Sequence, residues 1–84
     1  MDDKAIVQFF NLSNGKSKEL EIPIYITAND LIIAFNEAFD LDMDVDNIFG
    51  CYLVAENPIA FLHGNKTLEE YGIRNGTKII FKKQ

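Results

Sequence analysis

The residues of this chain best equipped for chemistry are an acidic run, Glu37, Asp40, Asp42, Asp44 and Asp46, and one thiol and one imidazole, Cys51 and His63. Alternating carboxylates suggest calcium, but an EF-hand loop needs Gly at its sixth position and a bidentate Glu at its twelfth. Counted from Asp40 those positions hold Val45 and Cys51, and counted from Asp42 they hold Asn47 and Leu53. Both registers fail, so the run reads as a solvated loop. A Cys–His nucleophile pair needs a third group to orient the base and a pocket to receive substrate. Cys51 falls in a strand pattern, where a buried, inert thiol is the commoner outcome, and His63 sits in a turn beside Gly64. The serines, Ser13 and Ser17, share a hairpin turn, and no glycine-rich phosphate loop follows a strand. With one cysteine and one histidine, neither a disulfide within the chain nor a tetrahedral Cys/His zinc site can be built. The expectation is a protein without catalytic residues, cofactor or metal.

Bulk properties agree with a binding role. The chain has 84 residues, 48% of them hydrophobic, which suits one domain spanning 1–84 with one compact core. Its net charge is −5, from 13 acidic and 8 basic residues, the opposite of the clustered Lys and Arg that phosphate backbones require. The basic bias at Lys78, Lys82 and Lys83 is too small to reverse this, so no nucleic-acid partner is expected. The start, with Asp2 and Asp3, lacks the basic and apolar regions of a signal peptide. No apolar run nears the ~20 residues that span a bilayer. Absence of disulfides fits a reducing compartment. The expected location is the cytoplasm, without direct membrane insertion.

The elements that would position these residues follow from periodicity. Ala5 to Phe10 is rich in β-branched and aromatic residues and reads as a strand. Asn14-Gly15 marks a hairpin turn, since both residues tolerate positive φ. From Glu19 to Ile26 the pattern alternates with period two, and Pro23, which cannot donate to a ladder, places this strand at a sheet edge. Thr27 and Asp30 then form a helix cap and its box partner. At 100° per residue, Ala28, Leu31, Ile32, Phe35, Ala38 and Phe39 share one face, and Asn29, Asp30, Asn36, Glu37 and Asp40 fall opposite. After the acidic segment, Phe49 to Ala55 reads as a third strand. Glu56 to Pro58 is a turn, and Ile59 to Leu62 a short fourth strand. Thr67 to Gly72 reads as one helical turn capped by Thr67 and Glu70, with Gly72 as its left-handed end. Thr77 to Lys82 is the last strand. The fold class is α+β, one long helix laid across a five-stranded sheet.

This order resembles the ubiquitin-like β-grasp. The specific stretch is Lys66 to Ile73 (KTLEEYGI) followed by Asn75 to Phe81 (NGTKIIF). It is similar to the family element in which a Thr-Leu pair opens a short helix and a Tyr and an Ile close it. Leu68 and Ile73 would plug the open end of the sheet. Tyr71 would pack its ring there and bond a nearby loop through its hydroxyl. Between Ile6 and Phe81 the chain is also similar to the YukD/EsaB-like proteins of type VII (WXG100) secretion systems in Gram-positive bacteria, notably at "LEIPIYITANDLI" and at the acidic break after the helix. The resemblance implies a non-enzymatic accessory or regulatory protein that contacts a secretion ATPase or membrane subunit, with weak homodimerisation also open. The alternative is a ubiquitin-like modifier or sulfur carrier. It is disfavoured because the sequence ends Phe81-Lys-Lys-Gln84, with no glycine after Gly76 to form a reactive Gly-Gly tail.

The candidate protein-binding residues are apolar. If Ala5, Val7 and Phe9 point inward, Ile6, Gln8 and Phe10 point outward. In the last strand Ile79 and Phe81 would point in and Ile80 out, and Leu53 of the third strand is placed with them. The resemblance makes this outer face a docking surface, which singles out Ile6, Phe10, Leu53 and Ile80. Against this, singly exposed apolar residues are ordinary; a contiguous patch would mean more. Ile33, nearly opposite the helix's buried stripe, is the remaining candidate contact.

Overall fold

The computed structural model describes residues 3–82. Lys83 and Gln84, on which the reading of the C-terminal tail partly rests, lie outside the described residues, as does Asp2. The order is β1 (Lys4–Asn11), β2 (Lys16–Pro23), α1 (Ala28–Phe39), a 3₁₀ segment (Val45–Gly50), β3 (Leu53–Glu56), β4 (Ala60–Leu62) and β5 (Lys78–Phe81). The strands form one mixed sheet in the order β2-β1-β5-β3-β4. Only β1 and β5 run parallel; the other neighbours are antiparallel.

Local signals in the sequence explain most boundaries. Gly15 takes φ +71° in the β1–β2 turn, and the side-chain oxygens of Asn11 and Asn14 accept the backbone N–H groups of Ser13 and Lys16 at 3.0 and 2.9 Å. Pro23 ends β2, which lies at the sheet edge. Thr27 Oγ1 accepts from Asp30 N and Asp30 Oδ2 accepts from Thr27 N, both at 3.1 Å. This closes a reciprocal capping box. Replacing Thr27 with Ala is expected to lower the unfolding free energy by about 1 kcal/mol, measured by urea denaturation, while leaving the helical circular dichroism intact.

The second box also forms. Thr67 donates its N–H and its hydroxyl to Glu70 Oε1 at 3.0 and 2.9 Å, and Thr67 Oγ1 accepts from Glu70 N at 3.1 Å. The Thr67 backbone N–H, and then its hydroxyl, hold the Glu70 carboxyl below the usual carboxylate range. The turn this box opens buries Leu68 and Ile73 in the core. The Tyr71 hydroxyl donates to the His63 carbonyl at 2.7 Å, as its position suggested.

The core lies between α1 and one sheet face. Phe9 of β1 meets Phe35 and Phe39 of α1 with ring centroids 4.7 and 4.8 Å apart, in the range of favourable aromatic packing. Three helix positions depart from the simple period; one is Asn29, half-buried with its Oδ1 accepting Gly64 N at 2.9 Å. Ala38 is exposed: it lies at the rim of the stripe, and its single methyl is too short to reach the sheet from there. Asn36 is half-buried, because its Oδ1 turns inward to accept Met43 N at 2.8 Å. That bond ties the chain leaving the helix back onto it.

Phe49 and Gly50, read as the start of a third strand, instead end the 3₁₀ segment Val45–Gly50. Val45 and Ile48 both pack against the core. Asn47, at φ −109° and ψ 63°, kinks the segment between them, and both side chains lie on its inner side. Strand pairing therefore starts only at Leu53.

Candidate docking face

Strand alternation in β1 buries Ala5, Val7 and Phe9 and turns Ile6, Gln8 and Phe10 outward. In β5 it buries Ile79 and Phe81 and leaves Ile80 half-exposed on the outer face. These assignments match the sequence reading. Leu53 does not. It is 0% exposed and pairs with the equally buried Leu62 of β4. The outward residues of β3 are Val54 and Glu56, with Tyr52 before them. A shift of one residue in a strand's phase exchanges its two faces. Glu56 carried the signal: counting back in twos from that charge puts Val54 and Tyr52 outside and Leu53 inside.

The pairing registers then assemble a row that no single strand reveals. Phe10 is opposite Ile80, Ile80 is opposite Val54, and Val54 is opposite Phe61. At ~4.8 Å per strand, four apolar side chains from four strands line up over roughly 14 Å. Phe10, Ile80 and Val54 are half-buried, and Phe61 is 64% exposed. Tyr52 extends the row, its ring edge-on to Phe61 at 5.7 Å. The next row along the strands is polar: Glu19, Gln8, Lys78 and Glu56. Lys78 Nζ leans over the Phe10 ring at 6.0 Å.

Of the five candidates, Phe10 and Ile80 are brought together. Ile6 shares their face and is 44% exposed, but the polar row separates it from them. Ile33 is exposed on the helix layer, across the core from the row. The sequence reading missed Tyr52, Val54 and Phe61.

Cys51 and His63 both border one shallow hollow, and among the described residues no hydrogen bond joins their side chains. Cys51 is buried, and its thiol donates toward the carbonyls of Asp44 and Asn47 at 3.3 and 3.7 Å. Burial pushes the thiol's pKa up, and the Asp44 carboxylate adds to the shift. His63 is exposed, and its backbone, not its ring, makes the bonds to Tyr71. Among the described residues, no group of three or more His, Cys, Asp or Glu converges to hold a metal ion. No helix among them is long and apolar enough to cross a membrane.

The thiol makes a direct prediction. Iodoacetamide at pH 8 should alkylate Cys51 at least about ten-fold more slowly in the folded protein than in urea, because only the thiolate reacts and burial disfavours it. A pKa raised on folding contributes stability that is present below the thiol's ordinary value, ~8.5, and lost as pH climbs through the raised one. Unfolding midpoints should therefore fall above pH 9 more steeply for the wild type than for Cys51→Ala.

No family model matches the chain, and no curated protein matches it. Solved structures do. The ubiquitin-like domain of tubulin-binding cofactor B is 18% identical with a TM-score of 0.72, covering 95% of this chain and 89% of that one. A protein designed on ubiquitin is 16% identical with a TM-score of 0.69, covering 98% and 90%. The ubiquitin-like domain of yeast Ddi1 is 16% identical with a TM-score of 0.63, covering 100% and 95%. Sheet order, helix position and these likenesses agree: the fold is a ubiquitin-like β-grasp. At such identities the likeness defines the fold and leaves function to the residues.

Proposed function

We propose that this protein is a non-enzymatic adaptor that works by docking the outer face of its sheet onto another protein. The observation that carries the reading is the row of Phe10, Ile80, Val54 and Phe61, which is contiguous, partly solvent-exposed and not needed to close the core. Contiguous exposed apolar surface bordered by polar side chains is characteristic of interaction sites. The burial of Cys51, whose thiol is held on two backbone carbonyls, supports a role without chemistry.

The partner we propose is a component of a type VII secretion apparatus, either its ATPase or a membrane subunit, met in the cytoplasm and at the membrane complex. The resemblance of Leu20 to Ile32 and of the acidic break after α1 to YukD/EsaB-like proteins supports this assignment. The test is affinity capture from the native cells with the wild-type chain, quantified by mass spectrometry. Enrichment of a secretion component is expected. Recovery of none would overturn the secretion assignment.

A further inference from the structure

One end of the docking face has a second character. Because Val45 and Ile48 occupy the inner side of the 3₁₀ segment, Phe49 is turned into solvent and is 91% exposed. Two depressions meet beside it. A cleft of about 220 Å³ lies between the acidic loop and the end of β5, with Asp42, Asp44, Asn47 and Lys82 on its walls. A shallower hollow of about 400 Å³ is bounded by Phe49, Tyr52, Phe61 and His63. Cys51 and Tyr52 line both, so the two are neighbours. Charge is distributed unevenly. Residues 19–65 contain nine acidic residues and no Lys or Arg, and Asp40, Asp42, Asp44 and Asp46 crowd the loop at this end. The Asp44 side chain caps nothing in the 3₁₀ segment it precedes.

We propose that this end of the sheet seats a basic segment of the partner protein. A Lys or Arg side chain enters the acidic cleft, and a neighbouring apolar side chain packs in the hollow between Phe49, Tyr52 and Phe61. The inference names the chemistry of the partner and rests on the reading of the sheet face as a protein-binding surface. The acidic loop supplies the charge complementarity, which sets specificity and association rate, while the aromatic rim supplies apolar area. An acidic or phosphorylated segment would meet Asp42 and Asp44, which outnumber Lys82 on the cleft walls. A bare metal ion would find no group of three or more converging ligands among the described residues.

The test is a titration of the full ¹⁵N-labelled chain with an eight-residue synthetic peptide alternating Arg and Leu. Two control peptides replace Arg by Glu, or Leu by Ser. The Arg-Leu peptide is expected to shift the amides of Asp44, Asn47, Gly50, Cys51 and Tyr52. Its affinity should fall about ten-fold between 50 and 300 mM salt, as screening shortens the reach of the carboxylates. The double variant Asp44→Lys/Asp46→Lys should weaken it by about ten-fold or more, and Phe49→Ala should weaken it several-fold. All three positions are exposed, so these variants should fold, as their spectra will verify. Equal binding of the Glu-Leu peptide, equal binding of the Arg-Ser peptide, or shifts confined to another surface would each overturn the proposal. So would concentration-dependent shifts at the same amides without peptide, which would mark a second copy of the chain as the occupant. If Val54→Arg abolishes native capture but the Asp44→Lys/Asp46→Lys variant does not, the docking face stands and the basic partner is refuted.

Discussion

Arginine in place of Val54 is expected to abolish capture of the partner while leaving the protein folded. Val54 occupies the middle of the apolar row, flanked by Ile80 on β5 and Phe61 on β4. A partner covering the row must strip water from this position. Residues at the centre of an interface, shielded by their neighbours, carry most of the binding energy, and losing one such contact costs about 2 kcal/mol or more. An arginine there adds the penalty of burying a charge without a counter-charge, and the nearest charged row offers Lys78 as well as Glu56. Binding by calorimetry to the captured partner should weaken by at least about thirty-fold, the equivalent of 2 kcal/mol. The side chain points to solvent in the free protein, so the thermal midpoint should move by only a few degrees. The same substitution at Ile6, beyond the polar row, should have a smaller effect. Undiminished binding by Val54→Arg would show that the row is not the interface.

The second large effect separates Leu53 from its neighbour. Leu53→Ala is expected to destabilise the protein by about 2–5 kcal/mol, the range for truncating a buried leucine. Its side chain is sealed between β4 and the core, facing Leu62, and the surrounding strands cannot collapse into the space. For a chain of this size that is a large share of total stability and should lower the thermal midpoint by about 10 °C or more. Val54→Ala, one residue on, should cost less than about 1 kcal/mol, because its methyl groups are already partly hydrated. Differential scanning calorimetry on the pair decides the matter. A reversed ranking would put β3 one residue out of phase and move the docking face to Cys51, Leu53 and Ala55.

That one-residue question marks where local pattern stops being informative. The Asn14-Gly15 turn, the Thr27/Asp30 and Thr67/Glu70 boxes and the edge position of Pro23 all depend on residues within a few positions of each other or on one backbone property. They are legible from the chain alone. The faces of β1 are legible too, since Gln8 lies between Ile6 and Phe10 and marks the outer side, and Lys78 does the same for Ile80 in β5. In β3 Leu53 and Val54 are both apolar, and the strand is only four residues long, so the single charge of Glu56 at its end is the one local mark of phase. The packing that enforces it comes from Leu62 and Ile79, which meet this strand from elsewhere in the sequence.

The amino-acid sequence by itself determined the caps, the turns, the amphipathic helix and the negative charge of the acidic loop, because each of these is an interaction of short range or a matter of composition. Only the tertiary structure decided that β5 lies between β1 and β3. It thereby set Phe10, Ile80, Val54 and Phe61 side by side and turned Phe49 outward beside the carboxylates. Register between strands distant in the chain is a property of the packed core, which rewards one phase of each strand and excludes the other. A surface made of one residue per strand comes into existence only once that choice has been made.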